Sequence, residues 1–353
     1  MQGFWLLIRA DAGPGIGGGH VMRCLALAQA WMQSGGRACF AMAEGASSFG
    51  RRLTAENCRV ETIRSIPGSA DDARQSANIA RRLAARWIVL DGYHLTSEFQ
   101  HVLSEEVSRV AGRVPQLARI DDCGIDAPLP ADVLVNQNLH ASPRMYVELS
   151  EPAKLLLGPH YALLRREFAP WRTWQRRISP RAHRLLVTLG GSDDDNVAGK
   201  VIEGLWMCSG LALDVRLVIG PAFAHRAKLV AVCDRLGVRI EEGVTDMTPL
   251  LAWADVAITA AGSTTWEAAF FGLPAIVLTL ADNQREIAAS AHDAGLVINL
   301  GWHADVGPER IAEALTKLCD APQLRQAMSQ CGRRIVDGLG ASRVVEHLTR
   351  AAA

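Results

Sequence analysis

Twice along this chain a short apolar strand runs straight into a glycine-rich turn that opens a helix. Phe4–Ala10 reads as a strand, five glycines follow within residues 13–19, and Val21–Met32 reads as a helix. The rhythm restarts at Arg184–Leu189, which ends in Gly190-Gly191. Further strand candidates are Arg37–Ala43, Trp87–Leu90, Gln116–Ile120 and Asp132–Val135 in the first half. In the second they are Asp214–Ile219, Val238–Glu241, Val256–Thr259, Ala275–Thr279 and Val297–Leu300. Strands alternating with helices run parallel, so the spacing predicts an α/β chain with doubly wound parallel sheets. Such sheets hold ligands outside the carboxyl ends of their strands. The residues standing just after each strand are therefore the functional candidates.

At a mode of about 150 residues per domain, 353 residues suggest two domains. From Leu157 to Pro180 the alternation gives way to Trp, Arg and Pro, including Trp171, Trp174 and Pro170. The connection is placed there, dividing the chain into 1–170 and 171–353. The segment from Pro308 to about Arg350 reads as helical.

Lysine plus arginine equals aspartate plus glutamate at 37 each, and all but four of the cations are arginines. A neutral chain lacks the broad field that drives nonspecific nucleic-acid or anionic-membrane binding. The N-terminus has no basic region ahead of its short apolar run, so no signal peptide is expected. No run approaches the roughly 18 apolar residues of a membrane span. The 8 cysteines form no C-x-x-C pair, which fits buried cytosolic thiols. The expectation is a soluble, cytoplasmic protein.

The first glycine loop admits two readings. Gly13, Gly15 and Gly18 satisfy G-x-G-x-x-G, and Glu44 follows the next strand, as in a dinucleotide site. The other reading centres on His20. At a helix N-terminus the positive end of the dipole favours an uncharged ring, the form a general base needs. Asp11, ending the first strand, is then the candidate to orient it. A histidine that only packs or caps the helix is the plain alternative.

The run Arg9-Ala10-Asp11, followed by Ile16-Gly17-x-Gly19-His20-Val21-Met22-Arg23-Cys24-Leu25-x-Leu27-Ala28, resembles one family. It is that of the UDP-2,4-diacetamido-2,4,6-trideoxy-β-L-altropyranose hydrolases of pseudaminic acid synthesis, with the related spore-coat polysaccharide proteins. Asp91-x-Tyr93, Ile120-Asp121-Asp122, Asn136-Gln137-Asn138, Leu157-Gly158-x-x-Tyr161 and Gly190-Gly191-Ser192-Asp193-x-x-Asn196 resemble it in the same order. So do Ala261-Gly262-Ser263-Thr264-Thr265-x-Glu267 and Asn283-Gln284. Gly13, Pro14-Gly15 and Cys123-Gly124 depart from its usual pattern. The resemblance implies a GT-B fold, two Rossmann-like domains facing across a cleft, with His20 as catalytic base. It implies a UDP-sugar substrate, no cofactor and no metal. Gly17, Gly19, Arg23, Asp91, Tyr93, Asp121, Asn136, Asn138 and Tyr161 are then expected on the sugar side.

In the second half, Thr264-x-x-Glu267 has the spacing of a helix capping box. The same residues fit a nucleotide site, in which Gly262, Ser263 and Thr264 hold a diphosphate and Glu267 accepts from a ribose diol. Gly191, Ser192 and Asn196 are candidates beside it, although Ser192-x-x-Asp195 also has capping spacing. Asn283 is expected near the nucleotide or at a helix cap. The adjacent acids Asp193–Asp195 cannot all ligate one ion easily, so no metal site is expected.

UDP leaves as a stable anion, so one base to activate water suffices where glycosidases need two carboxylates. Direct attack inverts the anomeric centre. The chain is thus expected to hydrolyse the anomeric C–O bond of a UDP-sugar. A GT-B glycosyltransferase using a UDP-sugar, or a sugar-nucleotide-binding protein without turnover, are the alternatives.

Overall fold

A computed structural model describes residues 3–13, 16–44, 47–109, 114–125, 127–149, 153–191, 193–208, 210–220 and 223–350. The chain divides into two compact units, Met1–Arg166 with Leu339–Ala353, and Glu167–Gly338.

The first unit contains β1 (Trp5–Ala10), α1 (Gly19–Gln33), β2 (Arg37–Ala43), α2 (Ser47–Ala55), β3 (Arg59–Ile63) and α3 (Ala70–Leu83). It continues with β4 (Ala85–Asp91), α4 (Ser97–Ser108), β5 (Gln116–Ile120), β6 (Val133–Asn136) and β7 (Lys154–Leu157). Its sheet runs β3-β2-β1-β4-β5-β6-β7, with every pair parallel. β1 is buried on both faces, as the centre of a covered parallel sheet must be. Leu6 and Ile8 face a core shared with α1, while Leu7 faces the core of α3 and α4.

The second unit contains β8 (Arg184–Thr188), α5 (Val197–Met207), β9 (Asp214–Ile219), α6 (Arg226–Leu236), β10 (Arg239–Glu242) and α7 (Thr248–Trp253). Then come β11 (Val256–Ala260), α8 (Ser263–Phe270), β12 (Ala275–Thr279), α9 (Arg285–Asp293), β13 (Val297–Trp302), α10 (Pro308–Asp320) and α11 (Pro322–Ile335). Its parallel sheet runs β10-β9-β8-β11-β12-β13. Both sheets are Rossmann-like, and in each the strand order reverses beside its first strand. Among the described residues no helix is long and apolar enough to cross a membrane. All eight cysteines are free thiols, seven of them buried and Cys123 exposed.

Two elements depart from the sequence reading. β3 and β7 are strands that the alternation did not single out, and both contain or adjoin charged residues at the sheet edges. The division also differs. The first unit closes at Arg166, and α12 (Gly340–Arg350) returns to it instead of ending the second. Ala341, Val344, Val345 and Leu348 of α12 join the core under α1, and Trp87 Nε1 donates to the Leu348 carbonyl at 2.9 Å. Gly340 permits this approach, since a Cβ there would lie 2.2 Å from the Ala162 backbone. The apolar spacing of α12 marks a buried face without naming its partner.

Leu348 is fully buried in that core. Leu348→Ala is expected to lower unfolding free energy by about 2–5 kcal/mol through lost burial and the cavity left behind. Chemical denaturation of the purified variant measures it.

Candidate functional site

The register of the first sheet aligns the ends of four strands. Ala10 pairs with Asp91, Asp91 with Ile120, and Ile120 with Val135. Asp11, Asp91–Tyr93, Asp121–Asp122 and Asn136–Asn138 therefore emerge along one edge, the carboxyl edge. The loop after β1 returns along the same edge to start α1. It is closed by Gly17 N donating to the Gly13 carbonyl at 2.8 Å, with Gly17 at φ +73°.

His20 and Arg23, one turn apart on α1, project onto this edge. His20 Nδ1 lies 2.6 Å from Asp91 Oδ1. Arg23 holds the same carboxylate by both oxygens, from Nε at 2.7 Å and Nη2 at 2.7 Å. Its Nη1 reaches both oxygens of Asp122 at 2.8 Å. Asp122 also accepts from the Tyr93 hydroxyl at 2.8 Å and the Asn138 amide at 2.7 Å. The Cys24 thiol donates to Asp91 at 3.3 Å. His20, Arg23, Asp91, Asp122 and Asn138 are all buried.

Charge decides the protonation pattern. Burial pushes the Asp91 carboxyl up, but the Arg23 guanidinium and His20 outweigh it and hold Asp91 well below the usual carboxylate range. Asp122 is likewise held low by Arg23 against the effect of burial. An ionised carboxylate only accepts, so the short contact assigns the proton to His20 Nδ1. Arg23 Nη2 is 3.3 Å from the same nitrogen, the longer and weaker approach. Among the described residues nothing hydrogen-bonds to Nε2, which is the acceptor when the ring is neutral. Tyr93 stands edge-on to the imidazole at 5.0 Å between ring centroids. Burial and the Asp122 charge push its phenol far above the ordinary tyrosine value, so it remains a donor to Asp122 and is no proton source.

The sequence reading named His20, Arg23, Asp91, Tyr93 and Asn138, and the structure brings these five together. Asp11 needs correcting. It does not touch His20; Asp91 takes that place because β4, not β2, lies on the His20 side of β1. Asp11 accepts from Ala43 N at 2.7 Å and pairs with Arg9 at 2.7 Å. Asp121 and Asn136 form an adjoining buried group, each bonded to the Tyr146 hydroxyl, at 2.9 and 2.7 Å, and joined to the first by Asn138 N donating to Asn136 Oδ1 at 3.0 Å. Tyr161 is not in the group: its ring packs beside His160 and the α12 residue His347. Gly19 begins α1 and Gly17 shapes its entry. His94, His140 and Tyr146 were missed. His140 Nε2 lies 2.9 Å from the Asp122 carbonyl. Their one signal was position just beyond named strand ends.

In the second unit, two glycine turns stand at the carboxyl ends of β8 and β11, either side of the strand-order reversal. They differ in their helices. At α5 the Asp193 carboxylate accepts from Val197 N and Ala198 N, both at 2.8 Å, so an internal anion already fills that N-terminus. Asp193 and Asn196 adopt positive φ to achieve it. At α8 the cap is Gly262, with no side-chain cap bond, and a Cβ on Gly262 would meet nothing within 4 Å. The capping box expected from Thr264 is therefore not made; Thr264 lies inside the first turn. Gly191 packs against Gly220, whose Cβ would come within 2.2 Å of it. Glu267 is buried and Asn283 half-buried in a short 3-10 turn. Ser192 and Gly15 lie outside the described residues.

Residues 185–339 match the family model described as the glycosyltransferase family 28 C-terminal domain. The spore coat polysaccharide biosynthesis protein SpsG of Bacillus subtilis (strain 168) is 26% identical over 216 residues. That match covers 61% of this chain and 63% of SpsG, so it spans less than two thirds of that relative. Acinetobacter baumannii MurG superposes with a TM-score of 0.64 at 15% identity, covering 98% of this chain and 99% of MurG. Spinosyn rhamnosyltransferase SpnG complexed with thymidine diphosphate gives 0.63 at 15% identity, covering 98% and 100%.

The fold is GT-B. In that frame both units carry glycine turns at the carboxyl ends of strands beside the reversal of strand order, β1 in the first and β8 and β11 in the second.

Removing Arg23 leaves two carboxylates buried without their cation. Arg23→Met is expected to cost about 3–5 kcal/mol of stability at pH 7, measured by denaturant unfolding. Asp91 and Asp122 have folded pKa values below their unfolded ones, so they stabilise the fold above the ordinary aspartate range. That contribution fades as pH falls below about 4. Acid titration of the wild type should show this loss, and Arg23→Met should show little of it.

Proposed function

We propose that this chain is an enzyme using a nucleoside-diphosphate sugar, in which a nucleophile deprotonated by His20 attacks the anomeric carbon and the nucleoside diphosphate leaves with the bridging oxygen. The observation that carries the reading is the His20–Asp91 contact. Asp91 fixes the proton on Nδ1 and leaves Nε2 to accept one, the arrangement of a general base with its orienting carboxylate. The family 28 domain match over residues 185–339 and the GT-B relatives support a sugar nucleotide as donor.

The second unit is proposed to hold the diphosphate at α8. Its first turn presents backbone N–H groups and a dipole, and its cap residue Gly262 brings no side chain to them, the ordinary anion site of a helix. α5 is a poorer candidate because Asp193 occupies its amides, so Gly191, Ser192 and Asn196 take a lesser part. Glu267 is proposed to accept from the ribose hydroxyls, and Asn283 to lie near the sugar or nucleotide. Gly17, Gly19 and Tyr93 are proposed to border the sugar next to His20, with Asn138 and Arg23 supporting them. A diphosphate departs ionised, so no general acid is required, and direct displacement inverts the anomeric centre.

The nucleophile separates two versions. Transfer to an acceptor hydroxyl is the version the domain match and GT-B relatives support best. Water as nucleophile, giving hydrolysis of a UDP-sugar, is supported by the run Arg9–Ala28. That run resembles the UDP-sugar hydrolases and carries His20 and Arg23.

UDP and dTDP binding measured by calorimetry tests the donor site: Glu267→Gln is expected to weaken the tighter one about tenfold. His20→Asn is expected to keep that affinity and lose turnover by about 10²–10⁴. Turnover is followed as nucleoside diphosphate released from a panel of UDP- and dTDP-sugars. Retention within about tenfold removes His20 as the base. Release in buffer alone supports water as nucleophile, whereas release only with an added acceptor supports transfer.

A further inference from the structure

We propose that Asp11 and His94 are a positioning pair that fixes the turn carrying Tyr93 beside His20; the catalytic consequence rests on the reading of His20 as base. Asp11 ends β1 but faces away from His20. One of its oxygens is taken by Arg9 at 2.7 Å and by Ala43 N at 2.7 Å. The other, Oδ2, stands 2.9 Å from His94 Nε2, at ion-pair distance but off the line of an ideal hydrogen bond. Both atoms are buried, and neither has any other hydrogen-bond partner. Among the described residues, their approach to each other at 2.9 Å is therefore the one polar contact of either atom.

Behind Asp11 the anchoring continues. Arg9 is fully buried and grips Asp72 of α3 through Nε at 2.9 Å and Nη2 at 2.7 Å. Asp72 in turn accepts from Gly68 N at 2.8 Å and Ser76 Oγ at 3.2 Å. The turn held by this chain has no slack. A Cβ on Gly68, which has φ +79°, would lie 2.2 Å from the His94 carbonyl. One on Gly92 would lie 2.8 Å from the His94 ring. Leu95 N closes the turn onto the Gly92 carbonyl at 3.2 Å.

Tyr93 sits inside that turn, next to His94. It is 44% exposed. Its ring nonetheless stands edge-on to His20, and its hydroxyl meets Asp122. The place of the turn thus decides where the wall beside Nε2 stands. Asp11 and His94 act through Tyr93 and need not touch substrate.

Two readouts test this in the full chain. In histidine-labelled protein, the His20 ring-proton resonances, identified by their loss in His20→Asn, report the Tyr93 ring current without any turnover. His94→Ala is expected to move them in the same direction as Tyr93→Ala, and to add no further shift in the Tyr93→Ala background. Asp11→Asn, which keeps the volume, serves if His94→Ala does not fold. In turnover, His94→Ala is expected to lower kcat at least about tenfold with KM within about twofold, and to change nothing once Tyr93 is Ala. His20 resonances that stay in place in both Asp11→Asn and His94→Ala while Tyr93→Ala moves them overturn the proposal. So does an equal kcat loss with and without Tyr93. If the wild type turns over no sugar nucleotide, the function reading fails, and the resonance shifts still decide the positioning.

Discussion

Arg23 is the group on which the candidate site depends. A single guanidinium bridges Asp91 and Asp122, so two carboxylates from neighbouring strands sit buried and ionised a few ångströms apart. Lysine could not replace it, because the bridge uses the planar fork to serve both acids at once. The remaining acceptor capacity is met by Tyr93, Asn138, Cys24 and His20. An ion cluster of this kind contributes little net stability, since burying the charges costs about as much as pairing them returns. Its product is orientation: a carboxylate held ionised near neutral pH, aimed at one nitrogen of one histidine.

The parallel sheet explains why these residues meet. β1 and β4 are neighbours only because the strand order reverses beside β1, which puts the loop after β1 and the end of β4 side by side. The second unit repeats the arrangement with β8 and β11, and there the contrast lies in the helices. Asp193 shows what an anion at such an N-terminus looks like when the chain supplies it, and α8 is built alike without one.

Much of this was legible in the sequence, for physical reasons. The alternation of apolar strands with helices fixes parallel pairing, and the glycine turns mark the edge where ligands bind. His20 was visible at the head of its helix, and Arg23 only through the run that carries the resemblance. The partner of His20 was not, because strand neighbours depend on sheet order, and Asp11 and Asp91 are equally plausible from spacing alone. Arg9 and Asp11 share a face of β1 by its two-residue period, which is why that pair turns to Asp72 and His94 instead. The return of α12 to the first unit was invisible for a similar reason: Val344, Val345 and Leu348 declare an apolar face, not the surface that covers it. At Thr264 the motif satisfied a capping pattern, but the helix starts two residues earlier, with Gly262 as cap.

The central claim is cleavage of the anomeric carbon–oxygen bond by a nucleophile that His20 deprotonates. Turnover of a UDP-sugar carrying ¹⁸O in the oxygen that bridges the anomeric carbon and phosphorus tests it most directly, whichever nucleophile attacks. The account predicts that the label stays with the released UDP. Label recovered in the sugar product would mean attack at phosphorus and would contradict it.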